Sequence, residues 1–389
     1  MPRMAWIKLN PLFGIFILAA CVSSTPGPPT ATIASIQALP QASPATTELE
    51  VIPPTETSAL LAVEPRSDSF QFMQRPSSES IRVMSYNINW DSIFPDNDPK
   101  NHSLRDFNRV DAFVRVMQAV QPDVVCLQEI SYLRGEDELG KFLTAAMGTS
   151  PDQPWQVANI RDNVIATRFD LAERGYELEK GNVRINLSQA AALIDLPDEQ
   201  YGETDLHMIC SHFKSGGQYG DIIERTRQAD AIMAYVRDFK TPGGELDLKP
   251  GTPFVLLGDF NVYETDPHLH LRTMLWGDIY DEGLYGEDIR PDWDETVLED
   301  LEPSHNGLGE EFYTWRNDSD PFAPGLLDRI IYTDSVLGVE NAFVLNTMTL
   351  SDEALAALGL RRDDVVLDAQ FGYYDHLPLV VDFVLTSTP

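Results

Sequence analysis

Residues 253–260, PFVLLGDF, followed by Asn261, decide the fold of this chain. Phe254 to Leu257 form an uninterrupted apolar run between Pro253 and Gly258, the pattern of a strand covered on both faces and therefore central in its sheet. Gly258 frees the backbone at the end of that strand. Asp259 and Asn261, two residues apart, then offer a carboxylate and an amide to the same side. A carboxylate there can orient or deprotonate a water, and the amide can hold water or phosphate.

Outward from this stretch the same grammar recurs: an apolar run ending in a polar, acidic or imidazole residue. IRVMSYNI (81–88) reads as a buried strand carrying Asn87, and DVVCLQEI (123–130) as a strand carrying Glu129. LHMICSHF (206–213) carries His212, with Lys214 two residues on. DRIIYT (328–333) begins at Asp328, and LVVDFVL (379–385) follows Asp375-His376-Leu377-Pro378. Helices alternate with these runs. Phe107, Val110, Phe113, Val114, Met117 and Val120 share one helical face, with Ser103 and Asp106 as a capping box and Pro122 as stop. Ile222, Ile223, Ala229, Ile232, Met233 and Val236 mark a second helix, and Leu350 to Leu358 a short third between a Ser351 cap and Gly359. The stretches 262–312 and 334–372 are too long for simple turns. The first is strongly acidic and reads as a solvated loop. No repeat of 20–50 residues is visible, which argues against solenoids and propellers.

The residue types indicate phosphoester chemistry. Glu129, directly after an apolar run, is costly to bury unless paired or bound to a metal. With Asn87 it forms an all-oxygen donor pair of the kind hard cations prefer. The His212 imidazolium suits a phosphate oxygen. Asp328 can hold one imidazole nitrogen of His376 and so set its tautomer. Asp375 faces away from His376 in an extended segment and is left for the metal. Cys126 and Cys210 lie in apolar runs and read as small buried hydrophobes, with a disulfide the alternative in an exported protein.

The chain holds 389 residues and a formal net charge of −33. Residues 1–79 contribute 4 basic and 6 acidic residues, so the globular part is itself acidic and repels polyanions at long range. It lacks the basic stripe of proteins that track duplex DNA. At the N-terminus, Arg3 and Lys8 precede a nine-residue apolar run, Leu12 to Ala20, too short to span a bilayer. Leu18-Ala19-Ala20-Cys21 resembles the lipobox of bacterial lipoproteins. That resemblance implies cleavage before Cys21, acylation of Cys21, and a lipid-anchored place in the cell envelope, with Val22 pointing to the outer membrane, or an extracellular one. The expected organisation is a signal peptide over 1–20, a Pro/Ser/Thr/Ala-rich tether over 21–79 and a catalytic domain over 80–389.

The ordered set SYNIN, DVVCLQE, SHFKS, GDFN, DRIIY and DHLP resembles the endonuclease/exonuclease/phosphatase superfamily, also called DNase I-like, over about residues 81–385. The segment from SHFKSGG to ERTRQADAI is most similar to its bacterial extracellular nucleases. The resemblance implies an α+β fold: a four-layer α/β/β/α sandwich with two mixed sheets and the site at their common edge. It implies a Mg²⁺ ion (Mn²⁺ or Ca²⁺ as substitutes) on Glu129, with Asn87 and Asp375 assisting. Asp259 and Asn261 would position and activate water, His212 would bind the scissile phosphate, and His376, oriented by Asp328, would stabilise the transition state or move a proton. Arg168 matches a frequent but less functional position of the family, and Arg225 and Gln228 match a helix found beside the site, where they read as structural. Tyr374 stands where many members have Ser. The expected activity is phosphodiester hydrolysis, foremost by a nuclease acting on DNA or RNA at the cell surface. A phosphatase or phospholipase C-like enzyme for lipid or inositol headgroups is the alternative, and a catalytically dead binding protein a third reading. The complete set of site residues argues against the last.

Overall fold

A computed structural model describes residues 70–94, 109–174, 178–180, 183–185, 189–263 and 269–386, all within the unit Val63–Pro389. The leader, Cys21, the tether through residue 69 and the capping box at Ser103 and Asp106 lie outside the described residues.

In chain order the elements are β1 (Ile81–Asn87), α1 (Val110–Val120), β2 (Val124–Gln128), α2 (Glu136–Met147), β3 (Gln156–Ile160), β4 (Asn163–Thr167), β5 (Asp170–Arg174), β6 (Leu178–Lys180), β7 (Val183–Ile185) and β8 (Ala190–Asp195). There follow α3 (Asp198–Tyr201), β9 (Leu206–His212), α4 (Tyr219–Lys240), β10 (Phe254–Asp259), α5 (Leu269–Trp276), α6 (Glu282–Tyr285), β11 (Glu299–Asp300), β12 (Trp315–Asn317) and β13 (Asp328–Tyr332). The last are β14 (Leu337–Val344), α7 (Asp352–Leu358), β15 (Tyr373–His376) and β16 (Leu379–Leu385).

Two six-stranded mixed sheets carry the fold, ordered β14-β16-β1-β2-β4-β3 and β11-β13-β10-β9-β8-β5. Each has one parallel pair at its centre, β1 with β2 and β9 with β10, flanked by antiparallel neighbours. The two sheets share one apolar core. Val83, Cys126 and Ile165 of the first meet Met208, Val255, Leu257 and Ile330 of the second. The alternate residues of β10, Phe254 and Leu256, face a second core built with Ile232, Val236 and Phe239 of α4. The period-two strand thus buries both faces, as its uninterrupted apolar run requires. Helices α1 and α2 bury Phe113, Val116, Leu139 and Leu143 against the first sheet. The result is the expected α+β sandwich of two mixed sheets with helices.

Four local features differ from the sequence reading. The stretch 262–312, read as a solvated loop, carries α5, α6 and β11 and buries Met274, Ile279 and Leu298. Cys126 of β2 and Cys210 of β9 are not two independent small hydrophobes. They form a disulfide that ties the two sheets together across a sequence separation of 84, with Cα atoms 5.4 Å apart. Two buried strand positions that face each other across the core bring the sulfurs together, which neither apolar run reveals alone. Residues 70–79, expected within the tether, pack onto the body: Phe72 and Met73 are buried, and the Phe72 ring lies 4.9 Å from that of Phe343. The stretch 334–372 contains a full strand, β14, beside α7. Within α7, the Ser351 side chain accepts from Ala354 N and Gly359 closes the helix at φ 70°, as the sequence predicted.

Candidate active site

Register brings the site together. On β10, Asp259 pairs with His212 of β9 on one side and with Asp328 of β13 on the other. In the other sheet, Asn87 pairs with Gln128, which places Glu129 one residue beyond it. β15 pairs with β12 and delivers Asp375 and His376. Glu129, His212, Asp259, Asn261, Asp375 and His376 line one cleft of about 540 Å³. Asn87 and Asp328 stand behind it, bonded to Glu129, Asp259 and His376.

The contacts divide into two linked groups. In the first, Asn87 Nδ2 donates to Glu129 Oε1 at 3.1 Å and to Asp259 Oδ2 at 3.2 Å, and Trp90 N donates to Glu129 Oε2 at 2.9 Å. Asn89 Nδ2 donates to Asp375 Oδ2 at 2.8 Å. In the second, Asp259 Oδ2 lies between two imidazoles, 3.6 Å from His212 Nε2 and 3.5 Å from His376 Nε2. Each imidazole is anchored at Nδ1 by another carboxylate at 2.7 Å: His212 by Asp162 and His376 by Asp328. Asn261 N donates to Asp259 Oδ1 at 2.9 Å, and the Asn261 amide is itself fixed, donating to Phe213 O at 3.0 Å and accepting from Tyr263 OH at 2.8 Å.

Backbone strain concentrates here. Glu129, Asn261 and Asp375 have φ of 64°, 49° and 59°, the left-handed region that non-glycine residues adopt at a cost of about 1–3 kcal/mol each. Asp375 is therefore not in the extended conformation assumed from sequence. It lines the same cleft as His376 instead of pointing away from it. Gly258 is required for close approach as well as for its φ of 132°: a Cβ there would lie 2.0 Å from Ser211 O of β9.

Burial and charge set the protonation states. Burial, then the neighbouring Asp375 charge, pushes Glu129 up to about 7. Burial pushes Asp259 above the usual carboxylate range; the His376 charge opposes that rise. Burial lowers His212, but the Asp162 hydrogen bond and the Asp259 and Glu129 charges outweigh it and hold the group up at about 9. His376 is likewise raised well above its ordinary value, the Asp328 and Asp259 charges overcoming burial. Both imidazoles are therefore cations at neutral pH, aimed at a carboxylate.

The donor set fits a hard divalent cation. Glu129 and Asp375 offer carboxylate oxygens in one cleft, and a cation there would relieve their repulsion; Asn87 turns its Nδ2 toward Glu129, and its Oδ1 accepts from Asn89 N. The ligand atoms of Asp259, Asp328 and His376 also lie within 4.8 Å of one another. In that trio His376 Nδ1 and Asp328 Oδ2 are already bonded to each other at 2.7 Å.

Asp162 and Tyr263 were not singled out by the sequence. Asp162 occupies the two-residue turn between β3 and β4, where Ile160 pairs with Asn163, and only the packing of that hairpin carries it to His212. Lys214 lines the cleft, but its ammonium lies 3.3 Å from Asp221. Arg225 is fully buried and donates to Lys214 O and Gly216 O, and Gln228 Oε1 accepts from Lys214 N. Both are structural, as is Arg168, which binds Asp123 at 2.5 Å. The Tyr374 ring packs edge-on to Tyr313 and under the Arg316 guanidinium.

This arrangement on two packed mixed sheets defines a phosphoesterase-type site. A sequence model of the Endonuclease/Exonuclease/phosphatase family matches residues 84–352, most of the chain, and the chain belongs to that family. Asp375 and His376 lie beyond the matched residues. Solved structures of similar fold include the human Nocturnin catalytic domain with bound sulfate, at 19% identity, covering 79% of this chain and 95% of that one, TM-score 0.44. An endonuclease/exonuclease/phosphatase from Bacteroides vulgatus is 14% identical over 79% of this chain and 99% of that one, TM-score 0.46. TDP2 of D. rerio, complexed with a single-strand DNA product, is 13% identical over 78% and 98%, TM-score 0.44. No curated protein sequence matches.

Proposed function

We propose that this chain is a Mg²⁺-dependent phosphodiesterase cleaving DNA or RNA at the bacterial cell surface. One observation carries the reading: a buried carboxylate, Asp259, flanked by two imidazoles that are each held by a second carboxylate, in the cleft that Glu129 and Asp375 also line. Asp259 Oδ2 orients the attacking water and accepts its proton, a task suited to a carboxyl raised by burial. Asn261 N holds the other oxygen and so fixes which one reacts. His212 and His376 place positive charge on the phosphate oxygens and can return a proton to the leaving oxygen. Glu129, Asn87 and Asp375 would hold Mg²⁺, with Mn²⁺ or Ca²⁺ as substitutes, and when bound it would neutralise charge developing at phosphorus. The buried disulfide supports an oxidising, extracytoplasmic setting, in line with the lipobox-like Cys21.

Release of lipid or inositol phosphate headgroups is the second reading. Besides its two imidazoles and Asp259, the cleft carries Arg161 and Lys214 against Asp162, Glu224 and Asp320 outside the cation site, a balance that suits a short substrate better than a long polyanion. The test is to incubate the full chain, with Mg²⁺ and with chelator, against plasmid DNA, RNA, sphingomyelin and inositol phosphates. Metal-dependent cleavage of DNA or RNA is expected. Intact DNA and RNA alongside a released headgroup would sink the nuclease reading.

A further inference from the structure

The two partners of the Asp328–His376 bond belong to different elements. Asp328 begins β13 in the second large sheet, whereas His376 ends β15, which pairs with β12. Their side chains meet at 2.7 Å through Asp328 Oδ2 and His376 Nδ1. Among the described residues no donor reaches Asp328 Oδ1, although the residue is buried. The carboxyl is therefore aimed chiefly by the main chain that carries it, and whatever fixes that main chain fixes the pair.

Thr314 stands where the two main chains meet. It is fully buried and immediately precedes β12. Its Oγ1 accepts from Leu327 N at 3.1 Å and from Asp328 N at 2.9 Å. Its carbonyl accepts from Leu377 N, the residue after His376, at 2.7 Å. Thr314 is itself held, its own N donating to Gly325 O at 3.0 Å. One residue thus grips the chain on both sides of the Asp328–His376 bond. The grip on Asp328 is chemically specific. Two successive buried N–H groups converge on one oxygen, and buried N–H groups need an acceptor. A hydroxyl on a β-branched side chain, stiff about χ1, supplies that acceptor from a set direction. Valine has the same shape and no acceptor.

We infer that Thr314 is the positioning residue of the Asp328–His376 pair: its Oγ1 sets where Asp328 stands, and so holds the imidazole Nε2 on Asp259. Its catalytic consequence rests on the phosphodiesterase reading above, whereas its hold on the pair does not. Groups that orient a site residue from behind are worth about 10–100-fold in activity. A misplacement of about 1 Å at the reacting groups is enough for such a loss.

Thr314→Val removes the oxygen and keeps the volume, and Thr314→Ser keeps the oxygen. Each full chain is assayed in Mg²⁺ on thymidylyl-thymidine across roughly pH 5–9. Proton NMR, without substrate, follows the low-field Nδ1–H signal of His376, assigned by its loss in Asp328→Asn. Thr314→Val should lower kcat by about 10-fold or more and leave KM within about threefold. The falling limb of its kcat/KM profile should move to lower pH, because an imidazolium held less closely by Asp328 loses its proton earlier. Its Nδ1–H signal should move upfield. Thr314→Ser should return kcat to within about threefold of wild type, with limb and signal in place. If Thr314→Val does not fold, as read by circular dichroism, Thr314→Ala takes its place with the same expectations. Unchanged kcat per folded molecule with limb and signal unmoved overturns the inference and leaves the phosphodiesterase standing. A loss that Thr314→Ser fails to restore also overturns it. If the wild type cleaves no phosphodiester while the signal moves in Thr314→Val and not in Thr314→Ser, Thr314 positions the pair and the catalytic reading fails.

Discussion

Asp328→Asn isolates the role of one charge. Asp328 is 1% exposed, and its Oδ2 binds His376 Nδ1 at 2.7 Å, which presents Nε2 to Asp259 at 3.5 Å. An Asn preserves the shape and removes the charge. The His376 tautomer is then no longer set by an anionic acceptor, and the imidazole loses the strongest of the charges that oppose burial. Its basicity falls, so the ring is neutral in a pocket where a cation is needed. Loss of one preorganised electrostatic group costs about 10²–10³ in kcat, or about 3–4 kcal/mol of transition-state stabilisation. KM should change by less than about threefold, because the loss is felt mainly in the transition state. The assay is initial-rate cleavage of thymidylyl-thymidine across roughly pH 5–9, the range in which a shifted histidine shows itself, with circular dichroism confirming the fold. The falling limb of kcat/KM should move to lower pH, since the weaker imidazolium deprotonates earlier. A variant that keeps kcat within about threefold of wild type, with the limb unmoved, refutes this role for Asp328.

Three further outcomes are expected. Asp162→Asn should lower kcat by roughly 10-fold or more and shift the titration of His212, read by NMR, below about 9; an unshifted His212 would deny Asp162 its role. In chelator, stability should fall as pH rises. Glu129 and His212 both bind protons more tightly folded than unfolded, so their contribution is present at low pH, wanes for Glu129 toward about 7 and is lost for His212 as pH passes from about 6.5 to about 9. The His212 share is about 3 kcal/mol. Melting temperatures that climb over that window would contradict the charge arrangement, and added Mg²⁺ should offset the loss near Glu129. Replacing Cys126 and Cys210 together by Ser should lower unfolding stability by about 4–5 kcal/mol, from the closed loop of 84 residues, in urea titrations; no change would show that the sheets are held without the bridge.

The sequence by itself determined the strands and the residue types of the site. Apolar runs such as 254–257 have one stable fate, burial in a sheet, and a polar residue at the end of such a run is placed by the strand it terminates. Asn87, Glu129, His212, Asp259 and Asn261 stand out for that reason, Asp328 as the start of such a run and Asp375-His376 as the residues just before one. Tertiary structure alone decided which of them touch and what assists them. Asp162 reaches His212 only because a hairpin tip packs at the sheet edge. Asp375 turns into the cleft through a left-handed φ that pattern reading cannot foresee. Cys126 finds Cys210 across two strands that no local signal pairs. Periodicity is a local property of the chain, whereas distance across a core depends on how one sheet is set upon the other.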